Sequence, residues 1–345
     1  MSLAALIRAP LAAIDERVNL KHVHRRLQVI ARVLIISTFV DDTLRVACDY
    51  SGQVESMRVV GFGEAAAQVL PALFVVVQAT GSLCVLVGRS QSTEAGCALL
   101  IAWTAIHPFL YQQQKNVEFL IESLSIIGGL CILLSSTRAI RRHGDLGGAL
   151  LPGPTDRSHG GGGGGDGGAA PTSADAVERA DKLQLVGRAC LSSLYVFYAF
   201  KGAHERVLAL FSDGAAEAPG VALVEYTLLG MLAPLAALLV VGMRSRWCAL
   251  VLALATACAA LYSHPWYLAL WSSRREFTLD NVIGYEGTKV DAWIYATHQR
   301  YFFFQQISAA GALLQLVVHG PGRYSLQPEG TLRSAVAPLT AKGVD

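Results

Sequence analysis

Residues 65–87 read AAAQVLPALFVVVQATGSLCVLV, an apolar run without a single Asp, Glu, Lys or Arg side chain. A helix needs about 20 mostly apolar residues to cross the hydrocarbon core of a bilayer. The rest of the chain is similar: of its 345 residues 53% are hydrophobic and only 16% are charged. Soluble globular proteins carry about 25% charged residues. The sequence therefore predicts an all-α, polytopic membrane protein.

Seven further apolar segments bring the prediction to about eight transmembrane helices. The eight segments are 27–47, 65–87, 93–111, 117–137, 183–204, 221–241, 246–266 and 301–319. Glycine and proline inside them are tolerated because neighbouring helices repair backbone hydrogen bonds or pack closely. Basic residues precede the first segment and follow the fourth, whereas the alternate loops are acidic. The positive-inside rule then predicts that both termini are cytosolic.

Three segments outside the spans differ in composition from the membrane part. Residues 1–26 are predicted to form an interfacial amphipathic helix. Residues 139–181 are rich in Gly, Pro and Ser, cannot bury a core and predict a disordered cytosolic linker. A nucleotide-binding glycine loop does not fit there, because the Lys-Ser/Thr that follows such loops is missing. Residues 321–345 are predicted to form a cytosolic tail.

The two halves of the membrane part resemble each other in three places, in the same order. The matching pairs are 26–32 with 182–188, 107–109 with 264–266, and 125–130 with 308–313. The sequence therefore predicts two four-helix repeats, 27–138 and 182–320. Because four is an even number, the repeats should be parallel to each other in the membrane.

Ionisable side chains at the end of the first span are candidate site residues. Asp41 and Arg45 are i,i+4 neighbours that can pair, and Asp42 lies beside them. Charges at membrane depth are costly and often functional. The group either sets the depth of the helix or contributes to binding a partner or substrate.

Two acids and two histidines are further candidates. Glu118 and Glu122, at the start of the fourth span, either favour the helix N-terminus through the backbone dipole or contact a cation or basic peptide. His107 and His264 each precede a proline. They either bond to carbonyls that the proline frees, or form a pair that binds a metal or relays protons.

The loop 271–299 is predicted to be long, mixed in charge and aromatic. Aromatic residues at a membrane interface often anchor the protein there. Because most connections are short, a loop of this length is also a candidate for recognition.

Motifs of catalysis and cofactor binding are missing from the sequence. We find no serine–histidine–acid order, phosphate loop, haem motif or metal-ligand cluster, and the seven cysteines form no CxxC pair. The sequence therefore predicts no enzyme activity, no cofactor and no bound metal. A net charge of +2 is too small to indicate a nucleic-acid partner.

Three segments resemble the surfeit locus protein 4 family, which is itself similar to the wider DoxX-like set of four-helix membrane proteins. They are Ile36-Ser37-Thr38-Phe39-Val40-Asp41-Asp42 with Arg45; Gly128-Gly129-Leu130 running to Arg138; and Phe303-Phe304-Gln305, Ser308, Gly311 and Leu313-Leu314 with Gly320-Pro321-Gly322 and Ser325. The last segment is the most specific. The resemblance leaves out the N-terminal extension, the Gly-rich linker and the tail after residue 326.

This resemblance implies a receptor that cycles between the endoplasmic reticulum and the Golgi. Such receptors bind N-terminal signals of soluble secretory cargo in the lumen and join coat-protein-II components on the cytosolic side. Asp41, Asp42 and Arg45 would then hold the amino terminus of the cargo. Self-association into a homo-oligomer is compatible with this interpretation.

The chain departs from the family pattern at two places. It ends Ala341-Lys342-Gly343-Val344-Asp345, without the dilysine retrieval signal that family members commonly carry. Glu118 and Glu122 stand where the family is more basic, so the cargo specificity of relatives does not transfer directly.

Two other interpretations stay open. A small-molecule or ion transporter would use the repeat interface as its pathway, with His107, His264, Glu118 and Glu122 as polar groups. A DoxX-like membrane subunit of a redox complex would require a haem, a quinone or an enzyme partner.

Overall fold

The computed structural model describes residues 20–149, 173–211, 219–272, 274, 276–279 and 287–326. Most of these residues are helical, and one antiparallel hairpin precedes the last helix. The elements are α1 (Leu20–Cys48), α2 (Tyr50–Val60), α3 (Glu64–Val87), α4 (Ser90–Leu110), α5 (Val117–Ala149), α6 (Ser173–Phe211), α7 (Pro219–Val241), α8 (Ser245–Ser263), α9 (Trp266–Trp271), β1 (Glu276–Leu279), β2 (Thr288–Asp291) and α10 (Ala292–His319).

Six stretches within the described residues are long and apolar enough to cross a membrane. They are Glu64–Val87, Ser90–Leu110, Val117–Ala139, Val177–His204, Ser245–Trp271 and Ala292–His319. Each overlaps one of the predicted spans, so an all-α membrane protein fits the structure. The other two predicted spans are helical but are not among these six. The segment 27–47 contains Arg32, Asp41 and Asp42, and within α7 the part whose side chains the structure describes is the apolar stretch Gly230–Val241.

Sequence signals account for several helix ends. Asp49 and Asp291 are N-caps whose carboxylates accept hydrogen bonds from the backbone N–H groups of Gly52 (3.2 Å) and Ile294 (2.8 Å). Gly88 follows α3 with φ +72°, a left-handed conformation that favours glycine and ends the helix.

The helices pack in a closed order. α1 packs on α3, α3 on α4, α4 on α5, α5 on α6, α6 on α7, α7 on α8 and α8 on α10, and α10 returns to α1. α5 and α10 also pack on each other, so they lie at the centre of the bundle. Leu130 and Leu133 of α5 and Leu313 and Leu316 of α10 are accordingly fully buried.

Two helix crossings depend on glycine and match each other in detail. A Cβ atom at Gly128 of α5 would lie 2.7 Å from the backbone N of Leu191 in α6. A Cβ atom at Gly311 of α10 would lie 2.7 Å from the backbone N of Ile35 in α1. Glycine therefore lets each pair of helices approach closely. Gly128 and Gly311 are matched positions of the similar segments 125–130 and 308–313.

Two stacked ring pairs also occupy matched positions in the two halves. His107 stacks on Phe119 with ring centroids 5.5 Å apart and planes inclined by 25°. His264 stacks on Phe302 at 5.5 Å and 26°. Both histidines come from the matched His-Pro segments, so the similarity between the halves extends from sequence to side-chain geometry.

The region predicted as the loop 271–299 contains more secondary structure than expected. β1 pairs with β2, and Phe277 of β1 stacks on Tyr295 at 4.7 Å. α10 already begins at Ala292, whereas the predicted span begins at residue 301. The reason is that Gln299 and Arg300 lower the hydropathy of the first turns, yet both find polar partners inside the bundle.

The other predicted segments lie largely outside the described residues. This applies to most of the N-terminal segment 1–26, the centre of the linker 139–181 and the tail after residue 326. At the borders of the linker, α5 continues to Ala149 and α6 begins at Ser173. Disorder of the linker and the amphipathic N-terminal helix stay predictions.

Candidate functional site

Asp42 is the centre of a buried polar cluster. The residue is 8% exposed, and its carboxylate pairs with the guanidinium of Arg45 one turn further along α1. Its second oxygen accepts a hydrogen bond of 2.6 Å from the side-chain amide of Gln78 in α3. A buried carboxylate needs such partners because it loses its hydration.

Asp41 faces a different helix from Asp42. It forms an ion pair with Arg300 of α10, with Nε and Oδ1 2.9 Å apart. The predicted pairing of Asp41 with Arg45 is therefore wrong, since Arg45 pairs with Asp42. Spacings of three and four residues both bring helical side chains together. The tertiary partner decides between them, because Arg300 already holds Asp41.

A small polar cavity adjoins Asp42 between α1, α3, α4, α5 and α10. Its volume is about 40 Å³, and it is lined by Thr38, Phe39, Asp42, Gln78, Trp103, Thr104, His107, Ser123, Ile126, Tyr301 and Gln305. A space of this size admits about three waters or one small polar group. Most of the lining residues carry a hydroxyl, amide, imidazole or carboxylate group, and apolar atoms make the larger part of the wall.

His107 belongs to the aromatic side of this cavity. Its ring lies 5.5 Å from that of Trp103 and 4.7 Å from that of Tyr111, in addition to its stacking on Phe119. Tyr111 follows the end of α4 and donates to Gln53 of α2 at 3.4 Å. His107 is therefore surrounded by three aromatic rings.

Glu118 and Glu122 connect α5 to α6. The buried carboxylate of Glu122 accepts a hydrogen bond of 2.9 Å from the hydroxyl of Tyr198. Glu118 forms an ion pair with Lys201, with Oε2 and Nζ 2.7 Å apart. The chain itself therefore supplies a cation for Glu118, which also lies in the first turn of α5 as the dipole argument expects.

His264 lies apart from the cavity lining. Its Nδ1 is 2.7 Å from the side-chain oxygen of Gln299, and its Nε2 is 3.1 Å from the amide nitrogen of Gln306. The hydrogen-bond partners of the His264 ring are therefore side chains rather than the carbonyls that a proline frees. In the part of the chain that the structure describes, no group of three or more His, Cys, Asp or Glu side chains is placed to hold a metal.

Of the seven predicted site residues, Asp42 and His107 line the cavity, and Asp41 and Arg45 lie beside Asp42. Sequence reasoning missed the polar partners. They are Gln78, Tyr198, Arg300, Tyr301 and Gln305. Gln78 had a signal, because an amide in the middle of a long apolar run is costly unless it is bonded. The others lie near span ends, where polar residues are common.

Comparison with known proteins gives two matches. The SURF4 family model matches residues 12–157. A surfeit locus protein 4 homolog from Schizosaccharomyces pombe (strain 972 / ATCC 24843) is 26% identical over 301 residues, which are 87% of this chain and 80% of that protein. The predicted resemblance to the surfeit locus protein 4 family is confirmed. No solved structure gives a significant match.

The SURF4 family match includes most of the candidate site. Its residues 12–157 include α1 to α5, which supply every cavity residue except Tyr301 and Gln305. These two come from α10, which packs on both α1 and α5.

Proposed function

We propose that the chain is a non-enzymatic cargo receptor that exports soluble secretory proteins from the endoplasmic reticulum in coat-protein-II vesicles. The observation that carries the proposal is the buried pair Asp41 and Asp42, one of which opens onto a polar cavity. The resemblance to the surfeit locus protein 4 family supports it, because the family signature includes both residues.

The receptor would span the membrane eight times as two parallel four-helix repeats, with both termini in the cytosol. The matched glycine crossings and the matched His–Phe stacks support the repeat. The distribution of basic residues supports the orientation. The end of α1 that carries Asp41 and Asp42 would then face the lumen, where soluble cargo is found.

A protonated amino terminus is the chemical group that the cavity suits best. It carries one positive charge and three N–H donors, and it is small enough for the available volume. Asp42 would supply the countercharge, while the hydroxyls of Thr38 and Ser123 would accept hydrogen bonds. Each charge-assisted hydrogen bond contributes about 1.5 to 3 kcal/mol. Arg45 would have to yield part of its contact with Asp42, which favours a reversible, moderate affinity.

Substitution of Asp42 tests the site directly. We expect Asp42→Asn to reduce the amount of cargo that co-purifies with the receptor, without loss of folded protein, because it removes the countercharge of the amine. Glu55→Gln is the matched control, because Glu55 is an exposed acid in α2 that pairs only with an exposed arginine, Arg58. Unchanged cargo binding in a folded Asp42→Asn protein would refute this site.

Peptides test the proposed ligand group. A peptide with the mature N-terminus of a retained cargo should bind the purified receptor, and the same peptide with an acetylated N-terminus should bind at least about tenfold more weakly, because acetylation removes the charge. Equal binding of the two peptides would show that the amine is not recognised.

Secretion in cells tests the role as a receptor. After deletion of the gene, a defined set of soluble proteins should be depleted from the medium and should accumulate in the endoplasmic reticulum. Quantitative proteomics of both fractions measures this. Unchanged export, together with an altered small-molecule flux, would instead favour the transporter interpretation, for which the polar cavity at membrane depth is the supporting observation.

A further inference from the structure

The junction of α3 and α4 forms a corner that contacts a positively charged side chain from α1. Gly88, in the left-handed conformation, separates the two helices. A Cβ atom at Gly88 would lie 3.0 Å from Nη1 of Arg32. Arg32 precedes Asp42 by ten residues, or about 15 Å along α1. The corner therefore lies well away from the polar cavity.

Arg32 has unused hydrogen-bonding capacity. Its Nε is buried without a hydrogen-bond partner, and within the described residues no acceptor or ion-pair partner is recorded for its guanidinium. A guanidinium offers five N–H donors and cannot lose its charge in a protein. Withdrawing it from water without acceptors is costly. A half-buried arginine of this kind therefore favours an external acceptor.

Other groups around the corner add to its attraction for an anion. α4 begins at Ser90 without a side-chain cap, so the N–H groups of its first three residues have no intrahelical or side-chain acceptor. Arg89 is the exposed N-cap residue. Arg138 of α5 lies nearby, with Nε 3.7 Å from a carboxylate oxygen of Glu94. Glu94 offsets one of the three positive charges, which leaves the corner basic.

The matched corner of the second half shows what such an arginine requires. Arg188 of α6 lies at the Gly242 corner between α7 and α8, as Arg32 lies at the Gly88 corner. Arg188 is fully buried, and its two Nη atoms donate to the backbone carbonyl of Tyr324 and, at 3.5 Å, to that of Leu239. Its Nε has no partner, like that of Arg32, so the two arginines differ at their Nη atoms.

The acceptor segment at the second corner is held in place by further contacts. Gln184 donates to the carbonyl of Gly320 at 2.6 Å, and the N–H of Leu326 donates to the carbonyl of Val241 at 3.2 Å. The motif Gly320-Pro321-Gly322 with Ser325 thus belongs to a strap that brings acceptors to Arg188. Among the described residues, no strap of this kind contacts Arg32.

We propose that the Arg32 corner binds a phosphate group. The phosphate oxygens accept hydrogen bonds from Arg32, as backbone carbonyls accept them from Arg188. A phosphate can accept two parallel hydrogen bonds from a guanidinium and further ones from a helix N-terminus. At the end of a transmembrane bundle the nearest source of phosphate is a phospholipid headgroup. This site is independent of the cargo role.

Lipid titration of the purified full-length chain in detergent tests the proposal. Dioctanoyl phosphatidic acid should bind saturably in native mass spectrometry and raise the unfolding temperature. Dioctanoylglycerol, which lacks the phosphate, should do neither. If inorganic phosphate reproduces the saturable effect at similar concentration, the site takes free phosphate. If neither phosphate compound binds saturably, the proposal is overturned.

Variants then locate the binding. Arg32→Gln should weaken phosphatidic acid binding by about tenfold or more. Arg26→Gln is the matched control, because it removes one positive charge from an exposed position nearer the start of α1. Arg32→Lys should have an intermediate effect, since it keeps the charge and loses the planar fork. If Arg32→Gln and Arg26→Gln weaken phosphatidic acid binding equally, the binding is a general electrostatic attraction and the proposed site is overturned.

A gain of affinity gives a test that does not require removing Arg32. Glu94→Gln removes the carboxylate that offsets the basic corner, so it should tighten phosphatidic acid binding severalfold. If Arg32→Gln does not fold, Glu94→Gln still decides. A folded Glu94→Gln protein with unchanged or weaker binding would contradict an anion site at this corner.

Discussion

The two halves of the membrane part have the same helix crossings but different polar residues. Asp42 of α1 corresponds to Tyr198 of α6, and Glu122 of α5 corresponds to Gln305 of α10. The first half thus carries carboxylates where the second half carries a neutral hydroxyl or amide. Glycine at a crossing cannot be exchanged without moving a helix, whereas a polar side chain can change if its neighbours keep a donor or acceptor for it. The glycine crossings are therefore matched between the halves, whereas these polar side chains are not.

The arginines at the two corners provide the strongest test of this difference. We expect Arg188→Gln to lower the free energy of unfolding by about 3 kcal/mol, because buried carbonyls of the strap lose a charged donor. Arg32→Gln should cost less than about 1 kcal/mol, because within the described residues the guanidinium of Arg32 donates no hydrogen bond. Unfolding of the purified variants in detergent measures both. Equal losses would contradict the distinction between a structural and a ligand-binding arginine.

The two glycine crossings should respond alike and more moderately. Gly128→Ala and Gly311→Ala should each lower the free energy of unfolding by about 2 kcal/mol, since the added methyl group meets backbone atoms at 2.7 Å. Gly230→Ala is the matched control, because nothing lies within 4 Å of a Cβ atom there. It should be neutral or stabilising by up to about 1 kcal/mol. A large loss at only one crossing would break the proposed equivalence of the halves.

The smallest effects concern the contacts between α5 and α6. Tyr198→Phe should cost about 1.5 kcal/mol, because the buried carboxylate of Glu122 loses its hydroxyl donor. Lys201→Met should cost only about 0.5 kcal/mol, because its ion pair with Glu118 is partly exposed. A double-mutant cycle of Tyr198→Phe with Glu122→Leu isolates the first contact, because leucine offers no acceptor. A coupling energy near zero would show that the hydroxyl does not stabilise the carboxylate.

Much of the helical architecture could be predicted because hydrophobicity is a local property of the chain. The beginning of α10 could not, since Gln299 and Arg300 are polar in sequence and satisfied only by His264 and Asp41 in the fold. The two-stranded hairpin could not be predicted either, because its strands of four residues are too short for a periodic pattern to distinguish them from a loop.

The candidate site could be predicted in part. Asp42 and His107 were predicted as site residues because polar groups at membrane depth are costly. Their neighbours Tyr301 and Gln305 come from the last helix, and no local pattern links that helix to α1. The pairing of Arg45 was assigned to the wrong aspartate, because both helical spacings allow it and only the position of Arg300 decides.

The sequence by itself determined that the chain is a membrane protein, where most helices lie, which segments of its halves match and which family it resembles. These properties depend on composition and order along the chain. Only the tertiary structure decided which charges pair, which residues enclose the cavity, and that Arg188 contacts a strap while Arg32 contacts none among the described residues. The reason is physical: a buried charge is stabilised by whatever acceptor or donor packing brings within about 3 Å, however distant that partner is in sequence.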